Sequence, residues 1–151
     1  MLRMDHVVFP VWDAKASLTF YTEVMGFALV DAVSGPDWGG YPWLMMIFAP
    51  GDGRELVLVS LKGATKPKPS PLARDVRHFA FAENSLAALA KWRRKLQAGG
   101  VAYWEETHGK QKSIYFEDPD GTVLEVTAPP SKAASQTKRE ALERARAWIE
   151  A

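Results

Sequence analysis

Two histidines, His6 and His78, each open a short apolar run: Asp5-His6-Val7-Val8-Phe9 and Arg77-His78-Phe79-Ala80-Phe81. A carboxylate, Glu125, stands inside a third such run, Gly121-Thr122-Val123-Leu124-Glu125-Val126-Thr127. An ionised carboxylate on a mostly apolar strand is costly unless something pairs it. Two imidazoles and one carboxylate, with coordination positions left open, suit a divalent first-row metal ion. If these three side chains meet, they form a metal site; if not, Glu125 can pair instead with Arg3 or Arg77.

The elements that must position them repeat along the chain. Each histidine run is followed by a helical pattern that ends in glycine about twenty residues later, at Gly26 and at Gly99-Gly100. Strand-like runs follow, and each set finishes in a Gly-led strand, residues 53–59 and 121–127. The expected fold is therefore α+β. Two βαβββ modules in a pseudo-twofold arrangement form a cupped mixed sheet, and a C-terminal helix is added. The first module spans residues 1–61, a basic, Pro-rich linker 62–76, the second module 77–130 and the C-terminal helix 131–151. Aligning the two closing strands on their leading glycines matches Glu125 to Val57. If the halves close into one curved sheet, the strands of His6 and His78 lie side by side at its centre, and both imidazoles meet Glu125.

Finer boundaries come from local chemistry. Asp13 is an N-cap for a helix over 14–25, with Leu18, Tyr21, Val24 and Met25 on one face and Gly26 after its end. Residues 27–33 read as a strand and 34–40, rich in turn residues, as a loop. Residues 43–49 and 55–60 read as a hairpin. In the second module Asn84 caps a helix through 98, strands follow at 101–106 and 113–117, and Asp118-Pro119-Asp120-Gly121 is a β-turn. In the last helix, 135–150, Thr137 and Glu140 make a capping-box pair, and Leu142, Ala145, Trp148 and Ile149 form an apolar stripe. The simplest partner for that stripe is the helix's own subunit.

Composition excludes other classes. The 151 residues hold no cysteine, so disulfides, zinc–thiolate sites, iron–sulfur clusters and a cysteine nucleophile are out. A net charge of +1 gives no field for nucleic acid or membrane. No run approaches the ~18 apolar residues of a membrane span, and residues 1–6 lack a signal-peptide core, so the expected location is cytoplasmic. Trp38 follows a Gly-rich loop, and Trp104 lies in the other module; both are expected to wall a pocket for a small-molecule ligand. Open sheet edges and the apolar stripe call for a homodimer.

These segments resemble the vicinal oxygen chelate superfamily, which includes glyoxalase I, extradiol dioxygenases, fosfomycin-resistance transferases and bleomycin-resistance proteins. The resemblance covers about residues 4–128. It is carried by Met4-Asp5-His6-Val7, by Phe20-Tyr21-Thr22-Glu23-Val24-Met25-Gly26-Phe27, and by Ile114-Tyr115-Phe116-Glu117-Asp118-Pro119-Asp120-Gly121 followed by Leu124-Glu125. It implies one divalent ion per chain (Fe, Mn, Ni, Co or Zn) held by His6, His78 and Glu125. The metal would act as a Lewis acid on a molecule that chelates it through adjacent oxygens, in isomerase, lyase or dioxygenase chemistry.

Departures from the family's patterns sort its branches. Glyoxalase I carries a fourth ligand at the position of Val57, which cannot coordinate. Glu55, two residues earlier on the same face, would serve only through a register shift or bulge. Fosfomycin transferases carry threonine and lysine where this chain has Val8 and Glu105, and phosphonate binding needs cations. Ring-cleaving dioxygenases place a tyrosine ten residues before the glutamate, as Tyr115 stands to Glu125, which gives Tyr115 a catalytic role. Their additional histidine has no counterpart in residues 60–77. The spare histidine, His108, is placed in the turn before the Tyr115 strand, at the margin of the pocket. The alternative on the same scaffold is a metal-free binding protein of the bleomycin-resistance kind.

Overall fold

In a computed structural model, residues 2–130 and 138–151 are described. Eight strands form two separate four-stranded mixed sheets, with orders β1-β4-β3-β2 and β5-β8-β7-β6. The first contains β1 (His6–Val11), β2 (Ala28–Trp38), β3 (Tyr41–Ala49) and β4 (Glu55–Leu61). The second contains β5 (His78–Ala82), β6 (Tyr103–His108), β7 (Gln111–Glu117) and β8 (Val123–Ala128). The repeat is reproduced strand for strand. β1 runs parallel to β4 as β5 does to β8, and the other pairs are antiparallel.

The modules interlock through their helices. Asp13 accepts a hydrogen bond from the Ala16 amide at 2.9 Å and starts α1 (Ala14–Thr19). A wider π-type turn, Phe20–Val24, continues α1, and the chain then reverses at Gly26, whose φ of +76° favours glycine. The buried Tyr21 ring lies 5.6 Å from Phe48 of β3, while its hydroxyl donates to Asp118, in the β7–β8 turn, at 2.9 Å. Asp118 also accepts from the amides of Asp120 and Thr122. Burial raises its pKa despite these bonds, and burial beside Asp118 pushes the Tyr21 phenol far above its usual range. Helix α2 (Leu86–Ala98) packs on the second sheet, with Trp92 stacked on Phe116 at 6.3 Å. Phe9 of β1 stacks on Phe79 of β5 at 4.4 Å. Both sheets thus turn one apolar face towards a shared core and the other face away.

Several sequence-based expectations need correction. The two sheets do not join into one, because β1 and β5 are edge strands of different sheets. Residues 34–38, expected in a loop, extend β2 and pair with β3 across a Gly39-Gly40 turn. The glycine there serves packing: a Cβ on Gly35 would lie 2.6 Å from Trp43 Nε1. The residue preceding α2 is Ser85 rather than Asn84, and its side chain makes no cap bond. His108 ends strand β6 instead of occupying a turn. Helix α3 (Lys138–Ile149) does not pack its stripe on its own subunit: Leu142, Trp148 and Ile149 are exposed, Trp148 at 82%. The expected capping residue Thr137 lies outside the described residues.

Candidate metal centre

Side chains alternate across a strand, so one face of each sheet collects the candidate residues. On β1, Val7, Phe9 and Val11 enter the core while His6, Val8 and Pro10 face away. On β5, Phe79 and Phe81 enter and His78, Ala80 and Ala82 face away. The second sheet's outer face also carries Glu125 (paired with Ala80 and Tyr115), Ser113 and Trp104.

His78 and Glu125 converge. His78 Nε2 lies 3.0 Å from Glu125 Oε2. On the other side of the ring, Nδ1 lies 2.7 Å from the Asp75 carbonyl, which can only accept, so Nδ1 carries the proton and Nε2 is left as the donor atom for an ion. The Ser113 hydroxyl donates to Glu125 Oε1 and lies 3.0 Å from Thr127 Oγ1. The carboxylate is thus oriented on both oxygens and buried. Tyr115 sets its ring edge-on to His78 at 5.6 Å. Burial, and then the charge of Glu125, push the Tyr115 phenol up to about 12, so it is a neutral hydroxyl near neutral pH.

His6 has the same preparation but not the same place. Its Nδ1 lies 2.8 Å from Asp5 Oδ2, which again leaves Nε2 for an ion. Its neighbour across the strands is Glu55, in an unshifted register that sets Val57 opposite Val8. Val57 therefore stands two places along from His6's partner, as Glu125 does from Val123, the partner of His78. The glycine-based alignment of the closing strands holds, and Glu55 sits beside His6 without a bulge. Among the described residues no three His, Asp or Glu side chains gather at one point. One chain brings together two of the three expected ligands.

The expected pocket residues divide. Trp104 stacks on Tyr115 at 5.3 Å, carries the Arg74 guanidinium over its ring at 4.8 Å, and lines a groove of about 440 Å³ with Phe20, Tyr103 and Pro119. His108 Nε2 lies 3.3 Å from the Tyr115 hydroxyl and 3.3 Å from Glu106 Oε2, so it belongs to the same face. Trp38 is not drawn to this group; its ring partner is Trp43, at 5.6 Å. Glu105 points to the helix side and is gripped by Arg93 at 2.6 and 2.7 Å, so the acid on the outer face is Glu106. Asp5, Asp75, Ser113 and Glu106 escaped the sequence reading. Ser113 was within reach of it: counting outward from the Asp118–Gly121 turn pairs Tyr115 with Glu125 and Ser113 with Thr127.

The model of the Glyoxalase/Bleomycin resistance protein/Dioxygenase superfamily matches residues 3–126. The chain belongs to that superfamily. Among curated members, the glutathione transferase FosA of Serratia marcescens is 30% identical over 125 residues, which is 82% of this chain and 78% of that one. Among solved superfamily structures, the trypanothione-dependent glyoxalase I of Leishmania major superposes with a TM-score of 0.64 at 20% identity, covering 99% of this chain and 96% of that one. A glyoxalase family protein from Enterococcus faecalis gives 0.67 at 22% identity, covering 83% and 96%. At these identities the structures establish the fold. No helix among the described residues is long and apolar enough to cross a membrane.

Proposed function

We propose that this member of the superfamily is a metal-dependent enzyme acting on a small molecule that chelates the ion through adjacent oxygens. The observation that carries the reading is the His78–Glu125 pair: His78 Nε2 and Glu125 Oε2 face each other at 3.0 Å, while His78 Nδ1 is held by the Asp75 carbonyl and Glu125 Oε1 by the Ser113 hydroxyl. The donor set fits a divalent ion of the first row, held by His6, His78 and Glu125. When bound, that ion supplies Lewis acidity to a coordinated ligand oxygen. Tyr115, neutral and beside Glu125, hydrogen-bonds the ligand, and His108 and Trp104 border it.

His6 reaches this set from a second copy of the chain. β1 and β5 are each bonded on one side only, so each presents an open edge. Pairing the β1 edge of one copy with the β5 edge of another brings His6 beside His78 and covers Val8, which is 47% exposed. A twofold axis repeats the arrangement and gives a homodimer with two sites.

The rival reading is a metal-free binding protein, favoured by the fact that His78 and Glu125 already satisfy each other within one chain. Metal analysis of freshly purified protein separates the two. About one divalent ion per chain, lost with Glu125→Ala, supports the enzyme; protein that takes up no ion on dialysis supports the binder.

Turnover of the hemithioacetal of methylglyoxal and glutathione is expected to be weak or absent. Val57, 4% exposed, occupies the position of the fourth ligand. A kcat/KM above about 10⁴ M⁻¹s⁻¹ would show that this ligand is dispensable or that Glu55 replaces it.

A further inference from the structure

Among the described residues, the eight strands contain a single lysine or arginine, Lys112. It alternates with Ser113 and so stands on the face opposite Glu125. The outer strand faces that would meet at the candidate site hold acids instead: Glu55 beside His6, and Glu106, Glu117 and Glu125 on the second sheet. Arg74 reaches this face from the connecting segment, but its guanidinium is engaged by Glu117 at 3.0 Å and lies over the Trp104 ring. The rest of the face near Glu125 is apolar or neutral, with Ala80, Val123 and Tyr115 as neighbours.

Glu106 is held in place from two sides. Trp104 Nε1 donates to Oε1 at 3.2 Å, and His108 Nε2 lies 3.3 Å from Oε2 and equally far from the Tyr115 hydroxyl. Its carboxylate is therefore one side chain removed from Tyr115, which itself adjoins Glu125. A divalent ion brings two positive charges; Glu125 and Glu106 cancel both. A phosphonate would add negative charge that no strand cation offsets, and anion recognition of that kind relies on charged donors. A catechol, uncharged in solution, releases one proton to the solvent as it coordinates and so adds a single negative charge, fewer than a phosphonate brings.

We propose that Glu106 is a specificity-determining residue: it makes the site select oxygen chelators that are uncharged in solution and have an apolar body, and turn away phosphonates and other multiply charged anions. This rests on the metal-site reading above. Mn²⁺-loaded protein, dialysed free of excess ion, provides the test, because bound Mn²⁺ enhances water-proton relaxation and chelation by a ligand lowers that enhancement. The probes are 4-methylcatechol and phosphonoformate. In the native protein 4-methylcatechol is expected to bind at least about tenfold more tightly. Glu106→Lys should shift the ratio of the two affinities at least about tenfold towards phosphonoformate, and Glu106→Gln should shift it less, in the same direction. If Glu106→Lys fails to hold Mn²⁺, the Gln variant, which keeps the side chain's size, decides. Native protein that binds phosphonoformate as tightly as 4-methylcatechol overturns the proposal, as does an unchanged ratio in a variant that retains Mn²⁺. Absence of any relaxation enhancement before a probe is added would instead bring down the metal site itself, and this proposal with it.

Discussion

Mixing His6→Ala protein with His78→Ala protein will restore metal binding that neither variant has alone. In a dimer with shared sites, each His6→Ala homodimer lacks the first-strand ligand at both sites, and each His78→Ala homodimer lacks the second-sheet ligand at both. A dimer of one chain of each kind concentrates both defects in one site. Its other site takes an intact His6 from the His78→Ala chain and an intact His78 and Glu125 from the His6→Ala chain. After subunit exchange at equal concentrations half of the dimers are mixed, so occupancy should recover to about a quarter of the native value. If His6 and His78 served the same site within one chain, every site in the mixture would keep a defect and nothing would be recovered. Equilibrium dialysis with Zn²⁺, before and after exchange, reads the difference. The expected loss in each parent is large because the remaining donors fall short of the three protein ligands a closed set requires, and because removing even an outer partner of a ligand costs ~10- to 100-fold in affinity.

The second large effect concerns the interlock. Phe116→Ala should lower stability by about 3–5 kcal/mol, the usual cost of deleting a buried aromatic ring. Phe116 is fully buried on β7, 6.4 Å from Phe20 at the end of α1 and 6.3 Å from Trp92 of α2. It is therefore the ring on which helices from both modules meet the second sheet. For a chain of this size the midpoint of thermal unfolding should fall by roughly 10 °C. Differential scanning calorimetry checks it; a fall under about 3 °C would mean that the helices are held elsewhere. Glu106→Gln, on the outer face, serves as a control and should leave the midpoint within about 2 °C.

The local order of this protein was legible in its residues. The period-two alternation around His6, His78 and Glu125, the capping Asp13, the glycine stops at Gly26 and Gly99, and the Asp118–Gly121 turn are short-range signals, and the strands and helices fall close to where these place them. The glycine-based match of Val57 to Glu125 was legible too, and it stands because both closing strands pair in parallel with their histidine strands without a shift. Residues 34–38 misled because turn-forming residues were counted and their cross-strand partner, the Trp43 ring over Gly35, was not. What the residues alone did not decide is which edges meet. The same two modules close into one cup if β1 lies beside β5, or into a core-sharing pair with both cups open if α1 goes between the sheets. Tertiary structure chose the second, through contacts between residues far apart in the chain, at separations of 97, 96 and 70 positions: Tyr21 on Asp118, Phe20 on Phe116, Phe9 on Phe79. Such contacts depend on the summed fit of a whole core, which no local pattern encodes, and they set His6 apart from the partners that sequence had assigned to it.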